Sequence, residues 1–238
     1  MRIALIGYGK MGKAIEEVAL LRGHDIVLKI DQPNLHDFTR ENIAKADVAI
    51  EFTSPHTAFD NIKSCIEFGV PVVCGSTGWA EQLEEMKKNC MDKNGSFIYS
   101  SNYSVGVNIF FEINKKLAEL MASHKDYKVI LEETHHTQKK DAPSGTAISL
   151  AEQVLERVKR KKQWVNEISD NPEELEIISK RIDPAPGTHS IKYSSAIDDI
   201  EIIHTAHNRK GFATGAVLAA EFLKDKKGFF TMKDVLNL

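Results

Sequence analysis

The sequence contains few cysteines and no long run of apolar residues. Its three cysteines, Cys65, Cys74 and Cys90, form no Cys-x-x-Cys pair, and an odd number argues against a disulfide framework. We therefore expect a reducing, cytoplasmic compartment. No apolar stretch approaches the roughly 18 residues that a membrane-spanning helix needs, and the apolar N-terminus is too short for a signal peptide. The sequence thus predicts no membrane partner.

Neither sign of charge is in large excess. The chain has 31 Lys and Arg residues against 34 Asp and Glu residues, which gives a net charge of −3. Proteins that bind nucleic acid through their overall field are usually basic, so we expect no nucleic-acid partner. Apolar residues make up 42% of the 238 residues, which is typical of a soluble globular protein with one large or two small domains.

Short apolar runs alternate with helical patterns over the first part of the chain. The runs cover residues 3–6, 26–30, 48–52, 70–74 and 97–99. Helices are expected near residues 59–68 and 81–88 and at the apolar stripe of Met11, Ile15, Val18 and Ala19. This alternation predicts a doubly wound, Rossmann-like parallel sheet with helices on both faces.

The pattern changes after residue 103. A helix at 107–121, a strand at 127–132 and a loop at 134–145 precede a helix, and two later runs at 191–197 and 200–205 have the spacing of a hairpin. Since strands and helices no longer alternate strictly, we expect an α+β second domain. A last amphipathic helix near 214–223 is expected to return to the first domain. The predicted domains are therefore 1–103 with 213–238, and 104–212.

A glycine-rich loop follows the first predicted strand. Gly7-Tyr8-Gly9-Lys10-Met11-Gly12 has the spacing G-x-G-x-x-G, and it opens the first helix. These glycines allow a tight turn and let backbone N–H groups approach a pyrophosphate at the helix N-terminus. Asp31 ends the second strand 19 residues after Gly12, where an acid would hold ribose hydroxyls. The alternative is a glycine-rich turn that binds no ligand.

The residues after the second strand bear on the choice of nucleotide. The Asp31 carboxylate repels a 2′-phosphate, and Gln32 stands where an arginine would accommodate one. Both residues favour NADH over NADPH as the cofactor. Lys10 is the opposing feature, because it could approach a phosphate, although a solvated surface lysine explains it equally well.

Two further loops follow predicted strands of the same sheet. They are Gly75-Ser76-Thr77-Gly78 and Ser100-Ser101-Asn102-Tyr103. Folds of this class bind ligands at the carboxyl ends of their strands, so both loops could line a nicotinamide. Ordinary turns explain the same residues without a ligand. The predicted cofactor-binding residues are Gly7, Tyr8, Gly9, Lys10, Met11, Gly12, Asp31, Gly75, Ser76, Thr77, Ser100, Ser101, Asn102 and Tyr103.

The segment richest in chemical groups joins the second domain's first strand to its next helix. Backbone N–H groups of Gly145 and Thr146 at the start of that helix would form an anion site. Lys139 adds a positive charge, and His135 and His136 add groups that titrate near neutral pH. The combination predicts a site for a small carboxylate substrate that needs proton transfer.

Other interpretations of these charged residues stay open. Adjacent histidines can bind a metal, but no cysteine, third histidine or spaced carboxylate completes a ligand pattern, so no metal is predicted. The histidines could also be ordinary surface or packing residues, and Lys139 and Lys140 could be a solvated pair. The basic cluster at 159–162 is interpreted as a solvated face at a helix C-terminus.

The sequence resembles the dihydrodipicolinate reductases of bacteria. The most specific match is Glu133-Thr134-His135-His136 through Lys139, followed by Asp141-Ala142-Pro143-Ser144-Gly145-Thr146-Ala147. Weaker matches are the loop at 7–12, the segment Ser101-Asn102-Tyr103, the loop at 75–78 and the C-terminal stretches 204–209 and 212–216. Ser76 departs from the family's Gly-Thr-Thr-Gly loop. The chain is shorter than many members between residues 183 and 201, which affects the sheet of the second domain.

The resemblance implies an oxidoreductase of the diaminopimelate route to lysine. Such an enzyme uses NADH or NADPH to reduce 4-hydroxy-tetrahydrodipicolinate, through dihydrodipicolinate, to tetrahydrodipicolinate. The implied architecture is a dinucleotide-binding domain with a second domain for substrate binding and oligomerisation. It also implies a homotetramer formed through the second domain's sheet and domain closure during the reaction.

The resemblance also assigns roles to individual residues. His135 matches the proton donor and Lys139 a second acid that stabilises the developing anion. The residues expected to contact a small dicarboxylate substrate are His136, Gly145, Thr146, Thr77 and Arg209. Two alternative functions stay open: another NAD-linked dehydrogenase of amino or keto acids, and a non-catalytic module that senses NADH.

Overall fold

The computed structural model describes residues 1–208 and 210–238. It contains two compact units, of which the first comprises Met1–Val105 and Lys210–Leu238 and the second the intervening residues. In the part of the chain that the structure describes, no helix is both long and apolar enough to cross a membrane.

Strands and helices alternate in the N-terminal part of the first unit. In chain order these elements are β1 (Arg2–Ile6), α1 (Lys10–Leu21), β2 (Asp25–Ile30), α2 (Arg40–Ile43), β3 (Val48–Glu51), α3 (Ala58–Phe68), β4 (Val72–Cys74), α4 (Leu83–Asp92) and β5 (Ser96–Tyr99). Short 3-10 helices at Gln32–Asp37 and Ala80–Gln82 complete this part.

The remaining elements belong to the second unit and then to the end of the first. They are α5 (Val105–Met121), β6 (Lys128–His135), α6 (Gly145–Arg157), β7 (Gln163–Val165), β8 (Glu174–Arg181), β9 (Gly187–Ser194), β10 (Asp199–Ala206), α7 (Lys210–Leu223), β11 (Gly228–Phe230) and α8 (Met232–Leu236). The sequence patterns did not predict β7, β8, β11 or α8.

The sheet of the first unit is entirely parallel. Its six strands have the order β11-β5-β4-β3-β1-β2. Side chains of β1 alternate between two apolar cores, with Ile3 and Leu5 in one and Ala4 and Ile6 in the other. Helices α1 and α7 supply the first core, and α3 and α4 supply the second. The predicted doubly wound sheet, covered on both faces, is therefore confirmed.

Helix α7 returns the chain to the first unit, as the sequence predicts. It begins at Lys210, earlier than the predicted start near residue 214, and it packs against α1. A Cβ atom at Gly215 would lie 1.7 Å from the carbonyl oxygen of Tyr103. Glycine at this position therefore lets the helix lie directly on the backbone of the segment after β5.

The second unit contains a mixed sheet of five strands. Their order is β10-β9-β6-β8-β7. The predicted hairpin is confirmed, since β9 and β10 pair antiparallel with Ile191 opposite Ile202. Strands β6 and β8 are parallel, and helices α5 and α6 cover one face of the sheet. The expected α+β class is confirmed, although β6 continues to His135, three residues beyond the predicted strand end.

Candidate active site

The loops expected to bind a nucleotide share one edge of the first unit's sheet. Strands β1 to β5 are parallel neighbours, so the segments that follow them leave the sheet at the same end. Those segments begin at Gly7, Asp31, Phe52, Gly75 and Ser100. Parallel pairing therefore brings together residues that are far apart in the chain, at the edge where α/β sheets bind ligands.

The glycines of the first loop fit a dinucleotide. A Cβ atom at Gly7 would lie 2.1 Å from the carbonyl oxygen of Phe52, and one at Gly12 would lie 2.3 Å from the carbonyl oxygen of Gly7. No atom lies within 4 Å of a Cβ built on Gly9. Helix α1 begins after Gly9 without a side-chain cap, so its first N–H groups face the open side of the loop. This is the arrangement that accepts a pyrophosphate.

Asp31 lies at the carboxyl end of β2 and is half-buried. One of its carboxylate oxygens accepts a hydrogen bond from the N–H of Gln32 at 2.9 Å. Its own N–H donates to the side chain of Asn34, which fixes the turn after the strand. The side chain of Lys10 is exposed at the start of α1. The turn therefore holds a carboxylate at the position where ribose hydroxyls bind in this class of fold.

A fully buried carboxylate, Glu51, lies beneath this edge and was not predicted to be a site residue. The hydroxyl of Ser76 donates to it at 3.1 Å, and the Cys74 thiol donates at 3.0 Å. The N–H of Thr53 donates both to Glu51 and to the Ser76 hydroxyl. Burial and the charge of Glu51 raise the pKa of the Cys74 thiol well above its ordinary value. Glu51 thus connects the loops that follow β3 and β4.

Side chains also support the loop after β5. The Tyr103 ring is buried, and its hydroxyl donates to the carbonyl oxygen of Cys74 at 2.7 Å. The Ser100 hydroxyl donates to the carbonyl oxygen of Asn102 at 2.7 Å. Ser76 and Tyr103 therefore use their side chains to hold the loops. Thr77 is exposed on the loop after β4.

In the second unit, β6 carries two ionisable residues on its buried face. Burial alternates along the strand, so Glu133 and His135 share the face of Val129 and Leu131, which contribute to the apolar core. Glu133 is 1% exposed and His135 7% exposed. The strand thus places an acid and an imidazole at the boundary between the core and the loop that follows.

Glu133 is surrounded by donors from three parts of the unit. Its carboxylate accepts hydrogen bonds from the N–H of Ser144 at 3.1 Å and from the Ser179 hydroxyl at 2.8 Å. It also forms an ion pair with Arg181 at 3.1 Å, and Nδ1 of His135 lies 3.2 Å from it. Burial raises the pKa of the Glu133 carboxyl, but the donors lower it more, so its pKa lies well below the usual range. Glu133 is therefore anionic at neutral pH.

His189 on β9 completes the buried cluster. Its Nε2 lies 3.1 Å from the hydroxyl of Ser144 and 3.7 Å from the Glu133 carboxylate. The His189 and His135 rings meet edge to face, with centroids 5.0 Å apart. Burial, aided by the nearby His135, lowers the pKa of His189 to about 4. His189 is consequently neutral at neutral pH.

Arg181 links the buried carboxylate to the loop that follows β6. Besides its ion pair with Glu133, its guanidinium donates to the carbonyl oxygen of Asp141 at 2.5 Å and to that of Lys139 at 3.4 Å. Lys139 in turn forms an ion pair with the Asp141 carboxylate at 2.9 Å. Asp141 thus partners the lysine in this loop, and the loop backbone is fixed by a residue from β8.

The next helix begins beside these residues. Ser144 caps α6, because its hydroxyl accepts from the N–H of Ala147 at 3.2 Å. Gly145 and Thr146 form the first turn of the helix, and no atom lies within 4 Å of a Cβ built on Gly145. His136 is half-buried, and its N–H donates to the carbonyl oxygen of Ala185 at 2.8 Å. An anion thus has room above the first turn.

One trio of side chains has the composition of a metal site. Glu133, His135 and His189 each offer a donor atom, and these atoms lie within 4.8 Å of one another. His135 belongs to this trio but His136 does not, so the trio differs from the adjacent histidine pair that the sequence pattern offered as ligands. However, Arg181 already neutralises the carboxylate, and a cation there would displace or repel the guanidinium. The contacts with Arg181 thus explain why these three side chains lie together without a metal ion.

The structure brings most of the predicted substrate residues together. His135, His136, Lys139, Gly145 and Thr146 all lie at the end of β6, in the following loop or in the first turn of α6. Thr77 belongs to the first unit, and Arg209 lies outside the described residues.

Sequence reasoning missed Arg181, His189 and Glu51, and it gave Glu133 no role. Glu133 had a detectable signal, because it is a charged residue on the apolar face of an alternating strand. Arg181 and His189 lie on strands whose pairing with β6 has no local signature in the sequence.

Comparisons with known proteins identify the family of this chain. The sequence models for the N-terminus and the C-terminus of dihydrodipicolinate reductase match residues 1–103 and 106–236. A 4-hydroxy-tetrahydrodipicolinate reductase of Christiangramia forsetii is 50% identical over 100% of this chain and 98% of its own length. One of Thermosipho africanus is 34% identical over the same shares.

A solved structure has the same fold. It is a dihydrodipicolinate reductase of Paenisporosarcina sp. TG-14 with bound dipicolinate, which aligns with a TM-score of 0.77 and 24% identity over 97% of both chains. Because two family models cover both halves of the sequence and a relative with half of its residues identical spans the whole chain, the chain belongs to the dihydrodipicolinate reductase family.

Proposed function

We propose that this protein reduces 4-hydroxy-tetrahydrodipicolinate to tetrahydrodipicolinate with His135 as the proton donor. The reductase activity and its place in lysine and diaminopimelate synthesis follow from the family and from the relative at 50% identity. The single observation that supports the assignment of His135 is the asymmetry of its ring. Nδ1 is buried 3.2 Å from the Glu133 carboxylate without another hydrogen-bond partner among the described residues, whereas Nε2 is not one of the buried, unpartnered atoms. The ring thus presents one nitrogen to a substrate.

The proposed proton transfer needs an acid close to the reduced ring. Loss of water from the 4-hydroxy substrate gives dihydrodipicolinate; bound NADH or NADPH would supply a hydride to that unsaturated ring, which then carries electron density that must take up a proton. His135 would deliver that proton from Nε2, with Glu133 stabilising the charged imidazolium through Nδ1. Lys139 lies on the adjoining loop and would stabilise negative charge as it develops.

The substrate carboxylates would bind at the start of α6. The N–H groups of Gly145 and Thr146 belong to its first turn, where the helix dipole favours an anion. Lys139 would exchange its ion pair with Asp141 for one with a substrate carboxylate. We further propose His136, Thr77 and Arg209 as carboxylate contacts. Dipicolinate in the Paenisporosarcina reductase is a small dicarboxylate of the kind that this arrangement would accept.

NADH is the proposed preferred nucleotide. Asp31 places a carboxylate after β2, and the adjacent Gln32 offers no positive charge to a 2′-phosphate. The exposed Lys10 at the start of α1 is close in sequence to the pyrophosphate loop and is proposed to contact that group. The other proposed cofactor residues are the glycine loop, Asp31 and the loops at 75–78 and 100–103.

We also propose an oligomeric state and a cellular location for this protein. Members of the family commonly assemble through the second domain's sheet, and we propose a homotetramer for this chain. A cytoplasmic location is proposed because the three cysteines are buried free thiols, as expected in a reducing compartment.

A coupled assay tests the proposal. The substrate is generated from pyruvate and aspartate semialdehyde by the preceding synthase, and oxidation of NADH or NADPH is followed by absorbance. We expect oxidation that requires the synthase product and is faster with NADH at low concentration. His135→Gln and Lys139→Met should each lower kcat by roughly 10²-fold or more. Full kcat in both variants would remove the assigned roles, and oxidation of other amino or keto acids alone would favour the alternative dehydrogenase.

A further inference from the structure

We propose that Glu133 is a positioning residue that fixes the proton of the neutral His135 ring on Nδ1 and thereby aims Nε2 at the substrate. The inference rests on the proposed role of His135 as proton donor. It adds that Glu133 holds the imidazole so that Nε2 points at the substrate. It predicts that a neutral amide in place of the carboxylate reverses the tautomer and disables proton transfer, although the amide has nearly the same shape.

The two carboxylate oxygens of Glu133 have different partners. Oε1 accepts from the Ser179 hydroxyl at 2.8 Å and from the Arg181 guanidinium at 3.1 Å. Oε2 faces Nδ1 of His135 at 3.2 Å and Nε2 of His189 at 3.7 Å. The N–H of Ser144 donates to both oxygens. One oxygen therefore anchors the carboxylate, and the other faces the imidazoles.

The charges around His135 make Glu133 the natural acceptor for its Nδ1 proton. Arg181 on β8 neutralises the carboxylate from the side of Oε1, and Lys139 pairs with Asp141 in the loop. His189 on β9 is neutral at neutral pH because burial lowers its pKa to about 4. Among the charged groups that face the ring, Glu133 is therefore the one whose acceptor atom lies nearest to Nδ1.

A glycine packs against the opposite side of the ring. Gly187, the first residue of β9, lies beside Nε2, and a Cβ atom there would be 3.0 Å from that nitrogen. A substrate can consequently approach Nε2 through the space that the Cβ atom of any other residue at position 187 would occupy. The strand pairing thus supplies an acceptor on one side of the imidazole and space on the other.

The Glu133→Gln substitution removes the negative charge but keeps nearly the same side-chain shape. Three donors surround the Oε1 position, so the amide oxygen of glutamine would take that position. The amide NH2 group would then occupy the Oε2 position and donate to Nδ1 of His135. The neutral ring would have to carry its proton on Nε2, and the doubly protonated ring would lose its acceptor. The doubly protonated ring would therefore be less stable, and fewer molecules could deliver a proton from Nε2.

Nitrogen-15 NMR of the histidine rings reads the tautomer directly, independently of activity. The spectrum of the uniformly labelled protein contains nine histidines, and the His135 signals are those absent from His135→Gln. In the unsubstituted protein we expect the neutral ring to be protonated on Nδ1. In Glu133→Gln we expect the proton on Nε2, with kcat lowered roughly 10²-fold and the KM for NADH unchanged. Glu133→Asp, which keeps the charge, should restore the Nδ1 tautomer and part of kcat.

A matched control removes a charge from the same strand. Glu132 neighbours Glu133 in sequence but lies on the other face of β6, where it pairs with Lys180. Glu132→Gln should leave the His135 tautomer and kcat unchanged.

The possible outcomes separate this inference from the proposed function. A proton on Nε2 of the neutral ring in the unsubstituted protein would overturn the inference, even if no Glu133 variant folds. An unchanged tautomer and kcat in Glu133→Gln would also overturn it, while a loss of kcat in His135→Gln would leave the proton-donor role intact. If instead His135→Gln keeps full kcat, the proton-donor role itself fails.

Discussion

Gly187 and His135 lie so close that a Cβ atom on the glycine would be 3.0 Å from Nε2 of the imidazole. We therefore predict that Gly187→Ala lowers kcat by about tenfold or more, because the methyl group occupies the approach to the proposed proton donor. Binding of NADH should not change, since the nucleotide loops belong to the first unit. Steady-state kinetics with the coupled assay, together with NADH binding by fluorescence titration, measures both.

The control for this substitution is Gly211→Ala. A Cβ atom there would meet only the Ser104 hydroxyl oxygen, at 3.7 Å. It should keep the kcat of the unsubstituted enzyme. A Gly187→Ala enzyme with full kcat would show that the substrate does not approach Nε2.

Asp31→Asn tests the basis of the nucleotide preference. The asparagine keeps a side-chain oxygen that can accept from the N–H of Gln32, so the turn after β2 should survive. Loss of the negative charge should raise kcat/KM for NADPH by roughly tenfold, which corresponds to about 1.4 kcal/mol. Asp37→Asn, at the end of the 3-10 helix that Asp31 caps, serves as the control. Equal NADPH kinetics in Asp31→Asn and the unsubstituted enzyme would mean that Asp31 does not face the 2′ position.

The first unit could be predicted from sequence because its signals are local. Buried parallel strands are short apolar runs, and the glycine loop marks the end of the first one, so both the sheet and the edge that carries the loops were predictable. Strand β8 was missed although it lies beside β6 in the sheet. Only Leu175 to Ile177 are buried in succession, and the second half of the strand carries Lys180 and Arg181, which resemble a polar loop.

The candidate site could be predicted only in part. His135, Lys139 and the start of α6 are contiguous in sequence, whereas Arg181 and His189 reach Glu133 through strand pairing across more than 40 residues. No periodicity encodes which strands become neighbours. Ser76 and Tyr103 were predicted to bind the cofactor, and the structure gives their side chains a supporting role that motif spacing does not reveal.

The basic cluster at 159–162 is another feature that the sequence pattern predicted only in part. Its interpretation as a solvated face is wrong for two of its members. Arg160 donates to the carbonyl oxygens of Ala122 and Tyr127 near the end of α5, and Lys161 is 7% exposed and donates to the carbonyl oxygen of Glu174. The carbonyl group of Ala122 just after α5 and those of Tyr127 and Glu174 beside strands need donors, and the fold supplies them from this cluster.

Removal of metal ions should not affect catalysis. The donors of Glu133, His135 and His189 are close enough to bind a cation, but the Arg181 guanidinium already pairs with the carboxylate at 3.1 Å. We predict unchanged kcat after dialysis against EDTA, and no metal at one equivalent per chain by elemental analysis. Loss of activity that zinc restores would instead identify these three side chains as ligands. Dialysis without chelator is the control.

Stability should depend on pH through His189. Burial lowers its pKa from 6.5 to about 4 in the folded protein, so the unfolded chain binds a proton in this range that the folded protein does not. The free energy of unfolding should therefore fall as the pH decreases from 6.5 toward 4, by up to about 3 kcal/mol from this residue.

A substitution isolates that contribution. In His189→Gln the side-chain amide can still meet the Ser144 hydroxyl, but it does not titrate. Urea unfolding at several pH values between 6.5 and 4.5 should give a shallower decrease for the variant than for the unsubstituted protein. This range avoids most of the contribution of Glu133, whose depressed pKa gives stability that is lost only as the carboxylate is protonated at lower pH. Parallel pH profiles for the two proteins would show that folding does not lower the pKa of His189.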